Sequence, residues 1–184
     1  MEKSVRVISL FLGFLVVAFL VQSITTTKFA VLKDRSGQFS KDIVSIKTIE
    51  KQLDCLAINI YREAGHEPFE GKVGVAQVTM NRVVDGRFGD GVCGVVHQKS
   101  VVMERVICQF SWYCDSTHRN RPVNKAAYNE SYEVAKKVLL ENFRLDVLKS
   151  ALYYHADYIN PNWKLDKIGK IGQHIFYKQK EKRT

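Results

Sequence analysis

The feature that most constrains this chain is an apolar stripe that ends on an acid. Ile49, Leu53, Leu56 and Ile60 recur at spacings of 4, 3 and 4, one face of an α-helix, and the next position in that series is Glu63. Gly65 and Pro68 follow and stop the helix. A carboxyl group on the stripe points into the protein or into a cleft. Glu63 also falls in the last helical turn, where the helix dipole disfavours an anion, and desolvation acts in the same direction. Both effects raise its pKa, which is what protonation of a glycosidic leaving oxygen requires of a carboxylic acid. The structural alternative is a buried glutamate bridged to Arg62 or Arg82. Glu67 and Glu70, in the turn that follows, read as solvated carboxylates.

A second helix is expected over residues 70–84, with Val73, Ala76, Gln77, Met80 and Val84 on its inner face. The glycine-rich segment 85–94 makes a poor phosphate loop, because no strand precedes it and no Lys-Ser/Thr follows. A short helix is expected at Val95–Lys99, and an amphipathic one over 125–142 with Tyr128, Tyr132, Ala135 and Leu139 on one side. Residues 150–156 and 172–178 read as short aromatic strands, separated by the Asn- and Pro-containing turn 159–163. The fold class is therefore mainly α with a small β element, an α+β domain.

The N-terminus bears on location. Lys3 and Arg6 precede the apolar run Val7–Val21, and the segment 1–24 reads either as a signal peptide cut after Ser23 or as an uncleaved inner-membrane anchor over residues 5–24. In both cases Lys3 and Arg6 stay cytoplasmic and the chain from about residue 25 is exported, periplasmic or facing the cell wall. Residues 25–45 read as a linker, and residues 46–184 as the functional domain. Cys55, Cys93, Cys108 and Cys114 fit an oxidising compartment and permit two disulfides in three connectivities, a local Cys108–Cys114 bridge among them. The formal charge of +9 predicts attraction to an anionic polymer or surface. Nucleic acid is disfavoured because the domain is exported and its Lys and Arg residues form no dense tract.

Five blocks carry a resemblance: LDCLAINIYREAGHEPFEGKVGVAQVTMNRV, VCGVVHQ, CQFSWYCD, ALYYHADYINPNW and IGQHIFY, in that order over about residues 50–178. Together they resemble the SleB-type cell-wall hydrolases, relatives of the spore cortex-lytic enzymes. The resemblance implies a lysozyme-like, mainly helical catalytic domain with a small β element that cleaves peptidoglycan glycan strands, and no cofactor or metal is expected. Members typically read Glu-Ala-Arg-Gly-Glu in the first block, where this chain has Glu63-Ala64-Gly65-His66-Glu67. The first glutamate, the general acid, is retained, and the Arg-Gly pair is not.

Around Glu63 the expected substrate-binding residues are Gln109, Ser111, Tyr113, His155, Asn160 and His174, with Trp112 or Trp163 stacking on sugar faces. No second catalytic carboxylate is evident, Asp115 and Asp157 being candidates by position alone. A single acid fits a lytic transglycosylase, in which the 6-hydroxyl of muramic acid attacks the anomeric carbon. A carboxylate pair would instead make a muramidase. Two other classes stay open. His66, His97, His118, His155 and His174 could serve a metal-dependent peptidoglycan amidase, although no HExxH is present, and a basic domain without catalysis could simply bind wall.

Overall fold

The computed structural model describes residues 43–180 together with Phe19, Gln22 and Ser23. Contacts divide the chain between Thr48 and Ile49. In the first unit, the described residues 43–48 are helical and exposed. Apart from Phe19, the expected apolar run lies outside the described residues, as does most of the linker, and among the described residues no helix is long and apolar enough to cross a membrane.

The second unit is mainly helical with two small antiparallel sheets. In this unit helix α1 covers residues 49–64 and ends at Gly65, as the sequence predicts. Leu53, Leu56 and Ile60 are buried, but Ile49 is 46% exposed, because the core starts one turn further on. Helix α2, Phe69–Asp85, is the centre of the domain: every residue from Gly71 to Thr79 is buried. Burial on all sides explains why its apolar residues are not confined to one stripe. Val84, expected inside, is 86% exposed, because α2 outruns the core before Gly86 caps it in the left-handed region, φ 78°.

Helix α3 covers Gly91–Val96 and starts inside the glycine-rich segment, several residues before the helix expected at Val95–Lys99. The chain then forms a hairpin, β1 (Lys99–Val102) with β2 (Arg105–Cys108), which was not expected. Its two turn residues, Met103 and Glu104, both have positive φ, 47° and 64°, where Asn-Gly is the usual signal. Short helices α4 (Ser111–Cys114) and α5 (Ser116–Asn120) lead to α6, Lys125–Leu139. The buried stripe of α6 is Ser131, Val134, Ala135 and Val138, rotated from the expected face so that Tyr128, Tyr132 and Leu139 flank it half-buried.

The second sheet has β3 (Tyr153–Ala156), β4 (Asp166–Ile171) and β5 (His174–Lys178) in the order β3-β5-β4. Strands β3 and β5 lie within the two pieces read from sequence, and β4 is additional. The sheet sits on α2 through Phe176, which packs with Val78, Leu148 and Ala151. A Cβ at Gly74 would come within 2.6 Å of the Phe176 ring, so this close approach needs glycine.

The larger core joins α1, α2, α3 and α6 through Leu56, Ile60, Val73, Ala76, Val95 and Ala135. Two disulfides brace it. Cys55–Cys93 ties α1 to α3, and Cys108–Cys114 closes the segment from β2 to α4. The local bridge is among the connectivities the sequence permitted.

Candidate active site

Polar residues of α2 place one wall of the site. Gln77 bonds both backbone groups of Leu145, at 3.0 and 2.7 Å. Asn81 donates to the carbonyls of Leu148 and Ala151, at 3.0 and 2.8 Å, and Arg82 Nε donates to Leu152 O at 2.8 Å. These bonds tie the irregular segment 145–152 to α2, alongside its own turn bonds from Leu148 N to Leu145 O and from Ala151 N to Leu148 O, and fix where it enters β3. The next residues, Tyr153 and Tyr154, are thereby brought to the end of α1. Tyr154 Oη donates a 3.0 Å hydrogen bond to Glu63 Oε2.

Glu63 lines two cavities. One, of about 320 Å³, is lined by Glu63, Tyr61, His66, Glu67, His118 and Arg121 among others. The other, of about 260 Å³, is lined by Glu63, Arg82, Gln109, Ser111, Tyr154 and Trp163 among others. Burial raises the Glu63 pKa above the usual carboxylate value, while the Tyr154 hydroxyl and the Arg82 charge act the other way. The direction expected from sequence holds, with desolvation as its main cause. Tyr154 in turn is pushed well above its ordinary pKa, chiefly by burial and then by Glu63, so it stays a hydrogen-bond donor.

Arg82 is held rigidly beside this pair. Its guanidinium lies 5.2 Å from the ring centroids of both Phe88 and Phe110. With the Gln109 amide oriented so that its oxygen faces Arg82, the oxygen accepts from both terminal nitrogens at 3.2 Å and the amide nitrogen donates to Gln98 at 3.3 Å. Arg62 is turned elsewhere, donating to the carbonyls of Arg119 and Arg121 at 3.1 and 2.8 Å.

Of the expected substrate-binding residues, Gln109 and Ser111 share a cavity with Glu63, and so does Trp163. Trp112 reaches the other cavity, but it is buried and its Nε1 donates to Asn59 at 2.9 Å, which makes it chiefly a core residue. Tyr113 lines neither cavity and stacks on His97 with centroids 4.4 Å apart. His155 bonds Ala156 O at 2.8 Å and the Tyr177 hydroxyl at 2.9 Å, and its ring meets Trp163 edge-on. Asn160 is exposed and accepts from Asn162 N at 3.4 Å, and His174 is buried behind Tyr154.

Both aspartates are engaged away from the cavities. Asp115 caps α5, and the backbone N–H groups of His118 and Thr117 lower its pKa. Asp157 pairs with Lys170 at 2.7 Å, which lowers its pKa. Glu67 corrects the sequence reading. Its side chain is only 8% exposed, and it accepts from Gln173 N at 3.0 Å rather than standing in solvent. Among the described residues, no three His, Cys, Asp or Glu side chains come together as a metal site.

Residues 66–177, more than half of the chain, match the family described as Cell Wall Hydrolase. The chain belongs to this family. The matched stretch of this cell wall hydrolase starts three residues after Glu63. The spore cortex-lytic enzyme of Bacillus cereus is 30% identical over 137 residues, covering 70% of this chain and 45% of that protein. That of Bacillus subtilis is 28% identical over 155 residues, covering 80% and 41%. The chain thus spans less than half the length of these relatives. The catalytic domain of the Bacillus cereus SleB protein superposes with a TM-score of 0.52 at 26% identity, covering 70% of this chain and 91% of that one. The catalytic domain of the Bacillus anthracis germination-specific lytic transglycosylase SleB gives 0.51 at 28% identity, covering 69% and 93%. The cell wall hydrolase fold, its two disulfides and these relatives fit a wall-facing location in an oxidising compartment.

Proposed function

We propose that this cell wall hydrolase cleaves peptidoglycan glycan strands as a lytic transglycosylase, with Glu63 as the single general acid and base. The observation that carries this reading is that Glu63 lines both cavities, desolvated yet hydrogen-bonded to Tyr154. A strand lying across both cavities would present one glycosidic oxygen to the carboxyl group.

In the first half of the reaction, protonated Glu63 gives its proton to that oxygen as the bond to the anomeric carbon of muramic acid breaks. In the second, the 6-hydroxyl oxygen of the same sugar bonds to the anomeric carbon, and the Glu63 carboxylate takes the hydroxyl proton. The product is a 1,6-anhydro end, no water is consumed, and Glu63 is returned protonated. Tyr154 and Arg82 serve the interval in between. Their hydrogen bond and charge stabilise the transient carboxylate that burial alone would destabilise. Gln109, held on Arg82, and Ser111 offer polar groups to the sugar, and Trp163 offers a ring face.

The engagement of Asp115 and Asp157 elsewhere favours the single-acid route over a two-carboxylate muramidase. The likeness to the Bacillus anthracis catalytic domain, that of a germination-specific lytic transglycosylase, supports the same choice. Tyr113, His155, Asn160 and His174 act from outside the two cavities, His155 by bracing Trp163. Residues 1–24 direct export of the domain, as a cleaved signal or as an anchor. Mass spectrometry of wall fragments after digestion tests the reaction. Anhydro ends are expected, whereas reducing ends would identify a muramidase, released peptides an amidase, and wall binding without fragments a binding module.

A further inference from the structure

We propose that Glu67 is a positioning carboxylate of this site, acting on Glu63 through His174 and Tyr154. The proposal rests on the reading of Glu63 as the general acid. It starts from a buried carboxylate that the reaction as written does not use. Glu67 Oε2 accepts from Gln173 N at 3.0 Å, in the turn between β4 and β5. Gly172, at φ 58°, makes room for it, because a Cβ there would collide with the Glu67 carboxylate. The other oxygen, Oε1, faces His174 Nδ1 at 4.0 Å.

His174 is the second link. It is buried, and its Nδ1 has no hydrogen-bond partner, a costly condition for a polar atom out of water. The Glu67 carboxylate faces this atom at 4.0 Å, beyond hydrogen-bond length, so its hold on the ring is electrostatic and favours a proton on Nδ1. The far side of the ring meets Tyr154 edge-on, with centroids 5.0 Å apart at 85°. The sheet register makes this contact: Tyr154 pairs with Phe176 across β3 and β5, and His174 lies two residues along β5 on the same face. Tyr154 then delivers its hydroxyl to Glu63. Four side chains thus connect the turn after α1 back to the last turn of α1 by way of the sheet.

The charges around these groups set the direction of the effect. His174 faces Glu67 and Asp157, which favour its charged form, and His155, which together with the dominant effect of burial disfavours it. Glu63 feels Tyr154 and Arg82, both favouring the carboxylate. Glu67 is not among the groups that shift Glu63 directly. Its loss therefore reaches Glu63 by loosening Tyr154, which raises the Glu63 pKa.

The test is the pH–rate profile of wall digestion by wild type, Glu67→Gln, Tyr154→Phe and the double variant. Activity falls on the alkaline side as the general acid loses its proton. Glu67→Gln is expected to move that limb to higher pH, in the same direction as Tyr154→Phe, with the double variant moving no further than the larger single shift. An unmoved limb with a lowered melting temperature would make Glu67 a structural clamp on the β4–β5 turn and overturn the proposal, as would additive shifts. If Glu67→Gln does not fold, His174→Gln breaks the same chain one link later and is judged by the same outcomes. Glu63→Gln keeps the two readings apart: full activity there defeats the general acid itself, whereas an inactive Glu63→Gln beside an unmoved limb in Glu67→Gln defeats only the relay.

Discussion

The Tyr154 hydroxyl donates to the Glu63 carboxylate at 3.0 Å across 91 positions of sequence, joining a strand to the last turn of a helix. This bond opposes the effect of burial. Desolvation pushes the carboxyl towards its neutral form, and the hydroxyl, with Arg82, holds the anion within reach. The role proposed for Glu63, giving up a proton and taking it back within one turnover, needs both influences.

Removing the hydroxyl should show this. Tyr154→Phe leaves the ring packed on His174 and Phe176 but takes away a donor to the anion, so the Glu63 pKa rises further. The alkaline limb of the pH–rate profile should move up by about one unit, the scale of one hydrogen bond to a charged group. Turnover should fall even where Glu63 is fully protonated, because the carboxylate formed midway loses a stabilising bond. An unchanged profile would mean that the contact does not operate during turnover.

Glu63→Gln keeps the shape and still accepts the Tyr154 bond, but it has no proton to give. Turnover should fall by about 10²–10⁴-fold while the protein stays folded. Stability carries a second signature. The folded pKa of Glu63 lies above the unfolded value near 4.5, so the native state binds more protons between the two and wild type loses stability as pH rises through that window. Gln does not titrate. The melting temperature of Glu63→Gln relative to wild type should therefore rise from below the unfolded pKa to above the folded one and then level off. Parallel curves would show that Glu63 is not desolvated in solution.

Part of this was legible in sequence. The α1 stripe could be read because Leu53, Leu56, Ile60 and Glu63 depend only on local helical spacing. In α6 the reading slipped by part of a turn. Tyr128 and Tyr132 count as apolar yet stay half-exposed, whereas Ser131 is buried because its hydroxyl donates to Ala127 O at 2.9 Å. The β1–β2 hairpin left no mark because Met103 and Glu104 occupy a turn that normally takes Asn and Gly. Arg82 and Tyr154 escaped as site residues for another reason. Their meeting with Glu63 is made by α2 side chains bonding the backbone of residues 145–152, a tertiary arrangement without a sequence period. Glu67 reads as solvated because a glutamate between a helix end and a proline usually is, and it is covered by tertiary neighbours, the β4–β5 turn, His174 and Gly71 of α2.

The two disulfides should differ in what they protect. Cys55–Cys93 closes a separation of 38 residues, for which loop entropy predicts about 4 kcal/mol of stability, and its loss should lower the melting temperature more. Cys108–Cys114 closes only 6, but the segment inside it carries Gln109 and Ser111 into the cavity beside Glu63. The pair Cys108→Ser and Cys114→Ser should therefore cost less stability and proportionally more activity. Thermal melts set beside digestion rates would reveal the split, and equal losses in both measures would deny the second bridge a role at the site.

The choice between one carboxylate and two can be made at Asp115 and Asp157. Asp115 is spent on the backbone N–H groups that open α5, and Asp157 on the Lys170 ammonium. Both are held below the ordinary carboxylate range by these partners, so neither is a reserve acid near neutrality. Asn caps a helix about as well as Asp, so Asp115→Asn should be close to silent in stability and turnover. Asp157→Asn removes an ion pair on the sheet surface and should be silent in turnover too. Both variants should still release anhydro ends. A loss at either position comparable to that of Glu63→Gln, with reducing ends among the products, would identify a second catalytic carboxylate and replace the proposed transglycosylase reaction with a hydrolysis that uses water in place of the 6-hydroxyl.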